Sequence, residues 1–455
     1  MKHLFFDHAL LKTGWAEHVR VAIDDDGRVH SIEPGTAAQT GDRPHRIGLP
    51  GMANLHSHAF QRAMAGLSEF RTAGRDSFWS WRELMYRFVA RLGPDDLEAI
   101  AALAYCDMLE TGFTSVGEFH YLHNQPGGQP YGAPAEMSER IIAAASQTGI
   151  ALTLMPVLYR WSGFDRQPAQ PRQARFTNDL DRYAALYNSA RDAVAGLPRA
   201  KTGLAPHSLR AVDMADLQAL LSLDKGAPVH IHIAEQTAEV EACIAAHGAP
   251  PIAYLLDQAE VNEAWCLVHA THMTDAETDA LARTRAVAGL CPITEANLGD
   301  GIFPAPRFLA RDGRFGIGSD SHIRIDLAEE LRLLEYGHRL QVRERNVLAR
   351  PGEDTASALY TRAAKGGAQA IAQGSGQIET GQPADIVTLN PDAPVLRASD
   401  PTAIISSWIF SGDGRCIETV YVSGRNIVEN GRAIARDEVE RRFGATLKRL
   451  RNWAG

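Results

Sequence analysis

The chain has little cysteine and arranges none of it for pairing. Cys106, Cys243, Cys266, Cys291 and Cys416 are scattered through 455 residues with no CxxC pair, so no disulfide framework is expected; they read as reduced thiols filling a core in a cytosolic setting. Long apolar runs are missing too. Nowhere do about 18 apolar residues stand together, which argues against a membrane-spanning helix. The opening MKHLFFDHALL breaks its apolar start at Asp7 and His8 and offers no signal-peptide core. A cytoplasmic protein without a membrane partner is the expectation. Runs of Lys or Arg are also absent. With 46 Lys and Arg against 55 Asp and Glu, the formal net charge is -9, and that overall field disfavours a nucleic-acid or anionic-membrane partner. Any anionic substrate must be met by a local pocket. There is no long linker, internal repeat or low-complexity tract.

What is present is an ordinary globular composition, 45% hydrophobic and 22% charged, in a chain long enough for one large domain and a smaller one. Short strand-like stretches (HVRVAI, RVHSIEP) broken by turns at DDDG and EPG fill residues 1–49. A second β-rich piece (ADIVTLN, ETVYVSG, RNIVENG, with Gly424 and Gly431 at turns) lies within 376–437. Together they suggest one composite sheet domain, a small β-sandwich made from both termini. Residues 50–375 alternate strand and helix. The strand signals are GLPGMANLH, TSVGEFH, ALTLMPVLY, KTGLAPH, PVHIHIAE, AWCLVHA, AVAGLCPIT and RFGIGSD. Helical patterns such as DDLEAIAALAYCDMLETG and MSERIIAAASQTG end at a glycine, as helix C-termini do. Such alternation implies a parallel sheet, and eight strands make it an α/β (β/α)8 TIM-like barrel. The last stretch, 438–455, reads as a basic surface helix packing back on the body.

Metal-ligand residue types recur at the ends of the barrel strands: His56-Ser57-His58, His232, His269 and Asp320. They can act together only if the fold gathers the strand ends at one point, and the C-terminal face of a parallel barrel does that. In His56-Ser57-His58 the spacing of two puts both imidazoles on one face of a strand. HIHIAE repeats the spacing with His230 and His232; His232 is nearer the strand's C-terminal end, and His230 fits a packed interior role one layer down. Asp320 closes an apolar strand, where a bare carboxylate is costly unless paired or metal-bound; the competing reading is a helix N-cap. Three His and one Asp, with a water completing the sphere, make a plausible catalytic zinc site. Ligand type alone leaves iron and manganese open.

Taken together, PGMANLHSH, HIAE, LVHATH and GSDSH resemble the signature of the amidohydrolase superfamily in its mononuclear deaminase branch, over essentially the whole length. GQIETGQPADIVTLN is similar to the superfamily's C-terminal return strand. The resemblance implies one divalent metal ion per chain, zinc first, held by His56, His58, His232 and Asp320. It further implies that His269, Glu235 and Asp320 handle protons. Binuclear members carry a modified lysine at the end of the fourth strand. Here Lys201 stands at the start of that strand, the wrong end to reach the metal.

Within the branch, HSHAFQRAMAG, SFWSWRELMY, APHSLRAV, HIAEQTAEVE and PITEANLGDGIFP are similar to the deiminases that hydrolyse N-formimino-L-glutamate to N-formyl-L-glutamate and ammonia in histidine degradation. That resemblance implies a small-molecule substrate, a dicarboxylate with a cationic formimino head, and a homodimer is expected. Gln61, Glu235 and His269 would serve the head. Arg82, Tyr121, His207 and Arg210, in loops after strands one, two and four, would hold the tail, arginine being suited to bidentate carboxylate pairing. Each has a plainer alternative. Arg82 could stack on a tryptophan or lie exposed on a helix, Tyr121 could cover the barrel mouth, and Arg210 could cap a helix or pair with an acid. His207 could support a ligand instead of touching substrate; Gln61 could be a surface residue. Glu235 could be an unpaired loop acid, and His269 a fifth ligand or a packed histidine. His120, His123, His272 and His322 read as structural or exposed. The rival enzyme is a mononuclear deaminase of a nucleobase or another amidine, which would keep the same ligands but line its tail pocket with stacking aromatics and amides. A non-catalytic assembly protein on the same barrel would have no reason to keep the complete ligand set.

Overall fold

A computed structural model of the chain describes residues 1–71, 78–374, 376–397 and 400–451. Ser77 of SFWSWRELMY and residues 452–455 of the terminal segment lie outside the described residues. Strands Lys2–Leu11, Gly14–Ile23, Val29–Glu33 and Arg43–Pro50 join Ile386–Leu389, Ile417–Val422, Arg425–Glu429 and Arg432–Ala433 in one continuous eight-stranded sheet. The two ends of the chain meet where Arg43–Pro50 runs antiparallel to Ile386–Leu389, with Leu49 opposite Val387. Alternation along the late strands divides their side chains between two cores. Ile386 and Tyr421 join Leu4, Phe6, Val19 and Val21 in the sheet's own cluster, whereas Val387, Leu389, Val420 and Val422 enter the main core. Gly424 makes the turn after Ile417–Val422 at a φ of +66°, and a Cβ there would stand 2.6 Å from Ile23 Cγ2; only glycine suits both demands.

The parallel strands of the middle are Met52–Ser57, Phe113–His120, Ala151–Leu158, the two short pieces Lys201–Thr202 and Ala205–Pro206, Val229–Ile233, Trp265–His269, Val287–Leu290 and Arg314–Ile317. Their residues are almost entirely buried, as continuous apolar runs covered on both faces must be. They pair in sequence order within two sheets. Isolated parallel bridges Leu204–Val229 and Ser208–His232 join those sheets on one side, and Ser57–Asp320 joins them on the other. A helix follows each strand. Pro94–Glu110 and Glu136–Thr148 occupy the expected patterns, the second capped by Gly149 in the left-handed conformation. The result is an α/β barrel of the TIM type with an additional sheet.

The terminal helix Arg436–Arg451 packs on Pro94–Glu110. Arg436 pairs with Asp107 and Glu110, and Arg442 with Glu98. No helix among the described residues is long and apolar enough to cross a membrane.

Candidate metal centre and substrate cavity

The strand ends bring His56, His58, His232 and Asp320 to one point, with their ligand atoms all within 4.8 Å of one another and every side chain buried. His56 Nε2 lies 3.2 Å from His58 Nε2 and 3.0 Å from His232 Nε2. Asp320 Oδ1 stands 3.3 Å from the first and 3.2 Å from the second. Neutral imidazole nitrogens that share no proton have no cause to crowd so closely. A cation bound at 2.0–2.1 Å by tetrahedral nitrogens would set them roughly 3.3 Å apart, so the residues fit a small divalent ion.

The tautomers agree with that fit. His58 Nδ1 donates to the Phe119 carbonyl at 2.8 Å and His232 Nδ1 to the His207 carbonyl at 3.1 Å, which leaves each Nε2 with a lone pair facing the centre. Burial pushes the His56 imidazole down to about 3 and His232 well below its ordinary range, holding both in the neutral form a metal requires. Burial works against ionising Asp320, but the adjacent His56 and His58 rings outweigh it and hold the carboxyl well below the usual carboxylate range.

The backbone at these ends is unusual. Ala234, His269, Ala270, Asp320 and His322 all have φ between +45° and +66°, a left-handed region that non-glycine residues seldom adopt. Such positions cluster where a site demands a particular side-chain direction. Here they turn the chain sharply at the ends of strands five, six and eight, so that Glu235, His269 and Asp320 face one another. His269 Nε2 lies 4.0 Å from Glu235 Oε1 and 3.9 Å from Asp320 Oδ2, while Nδ1 bonds Glu295 Oε1 at 3.2 Å. Burial alone would lower His269; the three surrounding carboxylates outweigh it and raise the imidazole to about 10. Burial raises Glu235 to about 7, against the pull of His269.

A cavity opens from this cluster. Gln61, Arg82, Tyr121, His207 and Arg210 all line it, together with His58, His232, Glu235, His269 and Asp320. Gln61 is buried on the short helix Ala59–Met64 and donates to the Tyr121 hydroxyl at 2.8 Å. The His207 carbonyl faces His232 Nδ1 while its ring lies edge-on to Tyr159 in the cavity wall. Arg82, expected on a loop, sits on the helix Phe78–Val89, because the connection after strand one is long enough to hold a helix of its own. Its guanidinium carbon lies 4.4 Å from the Trp79 ring, so stacking and cavity lining coincide. Nε of Arg82 and Nε of Arg210 are buried without hydrogen-bond partners.

The apolar wall of the cavity was not expected from the sequence. Phe78, Trp81, Met85 and Tyr86 come from the same helix face as Arg82, and Tyr159, Phe176 and Leu298 complete the lining. The spacing of 78, 81, 82, 85 and 86 is the i, i+3, i+4, i+7, i+8 pattern of one helical face, a signal that could have found them. His230 bonds the Ala370 carbonyl one layer below the site, and Lys201 Nζ reaches the Ala372 carbonyl at the strand's start. His120, His123 and His322 are buried and His272 is partly so; none is exposed.

Comparison with known proteins adds independent findings. Residues 47–427 match the model of the amidohydrolase family, and residues 1–46 match that of the N-terminal domain of formimidoylglutamate deiminase HutF. The chain is 47% identical over 452 residues to a formimidoylglutamate deiminase of Pseudomonas aeruginosa, covering 99% of this chain and 100% of that protein. It is 27% identical, over 90% of its length and 88% of the other's, to a 5-methylthioadenosine/S-adenosylhomocysteine deaminase of Natronomonas pharaonis. Among solved structures, an amidohydrolase from Brucella melitensis superimposes with a TM-score of 0.95 at 47% identity, covering 99% of this chain and 100% of that one.

Proposed function

The chain belongs to the amidohydrolase family, and from that membership we propose that it hydrolyses N-formimino-L-glutamate to N-formyl-L-glutamate and ammonia, a step of histidine degradation. One observation carries this reading: a single cavity has a cage of metal-ligand side chains and proton carriers at one end and the guanidiniums of Arg82 and Arg210 in its wall. A planar cationic head and a dicarboxylate tail match those two parts in turn. The 47% identity to a formimidoylglutamate deiminase over both whole lengths supports the same substrate.

We assign His56, His58, His232 and Asp320 to one divalent ion, with zinc favoured by three imidazoles and one carboxylate. When bound, such an ion lowers the pKa of its water to roughly 7 and polarises the atom under attack. Asp320 accepts the attacking water's proton, with His269, 3.9 Å from Oδ2, assisting. Glu235 carries a proton to the departing nitrogen, which leaves as ammonia while water's oxygen takes its place on carbon. Gln61, paired to Tyr121, presents its buried and otherwise unpartnered Oε1 to the formimino N–H groups. Arg82 and Arg210 hold the carboxylates, with Tyr121 and His207 beside them, and the apolar wall excludes water around these pairs, which strengthens each of them.

The fold reading that accompanies this is a complete (β/α)8 barrel with the terminal sheet curled about Phe6, Val19 and Ile386 into a small sandwich; the bridges at both sheet junctions and the separate terminal core support it. Five buried free cysteines support a cytoplasmic setting. The test is ammonia release by the zinc-loaded protein on formiminoglutamate, formiminoglycine and adenine nucleosides. Turnover confined to the first is expected. Comparable rates on formiminoglycine, or efficient deamination of an adenine nucleoside, would return the rival deaminase reading to first place.

A further inference from the structure

Behind the ligand cage, on the side away from the cavity, lies a chain of buried polar side chains to which the mechanism gives no part. Ser57, between the two ligands His56 and His58, points to the other face of the strand and meets Glu118 Oε2 at 2.5 Å. Glu118 also receives the Ala59 N–H at 2.8 Å and the Tyr105 hydroxyl at 3.1 Å. On its other side Ser57 Oγ lies 2.9 Å from His322 Nε2. His322 Nδ1 is 2.9 Å from Ser319 Oγ, and Ser319 Oγ receives Asn54 Nδ2 at 2.5 Å while its own N–H returns to Asn54 Oδ1 at 3.1 Å. Asn54, Ser57, Glu118, Ser319 and His322 are all fully buried.

The protons in this chain run one way. Burial raises Glu118 to about 7, against the bonds from Ser57, Ala59 and Tyr105 that favour its charged form; once ionised the carboxylate only accepts, so Ser57 gives its single hydroxyl proton to it. Its contact with His322 then requires the proton on Nε2, which makes Nδ1 an acceptor for the Ser319 hydroxyl. That hydroxyl in turn accepts from Asn54. Each donor has an acceptor, and the charge of Glu118 polarises the series from its end. The chain is also anchored where it matters. Ser57 stands next to two ligands in sequence, and His322 stands two residues beyond the third, Asp320. Main-chain bonds from His58 N to Asp320 O at 3.2 Å and from Asp320 N to His56 O at 3.0 Å join the same two segments.

We infer that Glu118 and His322 are positioning residues for the metal centre: through Ser57 they lock the His56–His58 segment against the Asp320 turn, so that the cage holds its geometry before the ion arrives. Neither touches substrate. The inference rests on the metal-centre reading above and adds to it the part of the fold that sets metal retention.

The experiment compares zinc-loaded native protein with Glu118→Ala, His322→Ala and the smaller change Ser57→Ala, measuring transfer of zinc to a coloured chelator, the thermal midpoint of the metal-free protein, and KM against kcat. Loss of a partner behind a metal ligand weakens retention by about 10- to 100-fold. Zinc transfer should therefore speed up by that order, KM for formiminoglutamate should stay within about twofold, and excess zinc should restore much of kcat. Ser57→Ala removes one oxygen and keeps the falsifying readout should the larger truncations not fold. Native rates of zinc transfer in the folded variants would overturn the inference, as would a raised KM with unchanged zinc transfer. If the native protein itself takes up no zinc or other divalent ion, the metal-centre reading falls first and this inference with it.

Discussion

The two ends of the cavity are built on opposite plans. At the end we assign to the metal, the proposed ligands stand at strand termini; two imidazoles are oriented by main-chain carbonyls, and the segments carrying three of the four proposed ligands are bonded to each other through backbone and buried side chains. In the wall, Arg82 rides on a separate helix and Arg210 on a loop, each with a buried Nε left unpartnered. An ion tolerates little error in bond length, so its cage must be finished in advance. A guanidinium with a buried, unpartnered Nε keeps a donor free that an incoming carboxylate meets at the moment of binding. The first arrangement favours rate and the second discrimination.

The sharpest way to break this contrast is at the cage. His56→Ala or His232→Ala should lose both bound metal and activity, as judged by metal analysis and ammonia release, because a three-ligand remainder leaves an incomplete sphere. Retention of about one ion per chain in either variant would remove that residue from the cage. Next come the groups beside the cage that we assign to proton transfer. Glu235→Gln and His269→Asn should reduce kcat by about two to four orders of magnitude and keep native metal content.

The same pair sharpens the comparison through pH. Burial raises Glu235 to about 7, whereas His269 is raised to about 10. Glu235 must bear a proton when nitrogen leaves, so kcat should fall as pH rises through about 7, with His269 still protonated across that window. Glu235→Gln should lack this descending limb, and its survival in the variant would assign the limb to another group.

At the wall the effects should be smaller and fall on substrate preference. Arg82→Met or Arg210→Met removes a charge-assisted contact worth about 1.5 to 3 kcal/mol, which predicts a loss in kcat/KM for formiminoglutamate of about ten- to a hundredfold or more. Metal content should not change, and neither variant should gain much on formiminoglycine. The mildest change is Tyr121→Phe, which takes from Gln61 a neutral partner at 2.8 Å. About 0.5–1.5 kcal/mol is at stake there, a loss of roughly tenfold or less in kcat/KM. A Tyr121→Phe effect as large as that of the arginines would mean that the hydroxyl contacts a charged group of the substrate.

The strand signals of the middle, the two β-rich ends and the residues that gather into the candidate cage were legible because each is written locally. A strand declares itself by an apolar run, and His56 with His58 declares a shared face by a spacing of two. Even the misplacement of Arg82 on a loop was a local error, since the spacing of 78, 81, 82, 85 and 86 along its twelve-residue helix was there to be read.

What the sequence could not determine is who meets whom across the fold. Ser57 finds Glu118 61 residues away and His322 265 residues away, and no periodicity links residues so far apart. The aromatic wall, the direction of the proton chain and the tautomers of His58 and His232 depend on partners that only barrel closure brings together. The sequence by itself determined which chemistry is available, because ligand type and local spacing are properties of the chain. The tertiary structure decided how that chemistry is aimed, because left-handed turns at Ala234, His269 and Asp320 and buried long-range hydrogen bonds exist only once the strand ends have converged.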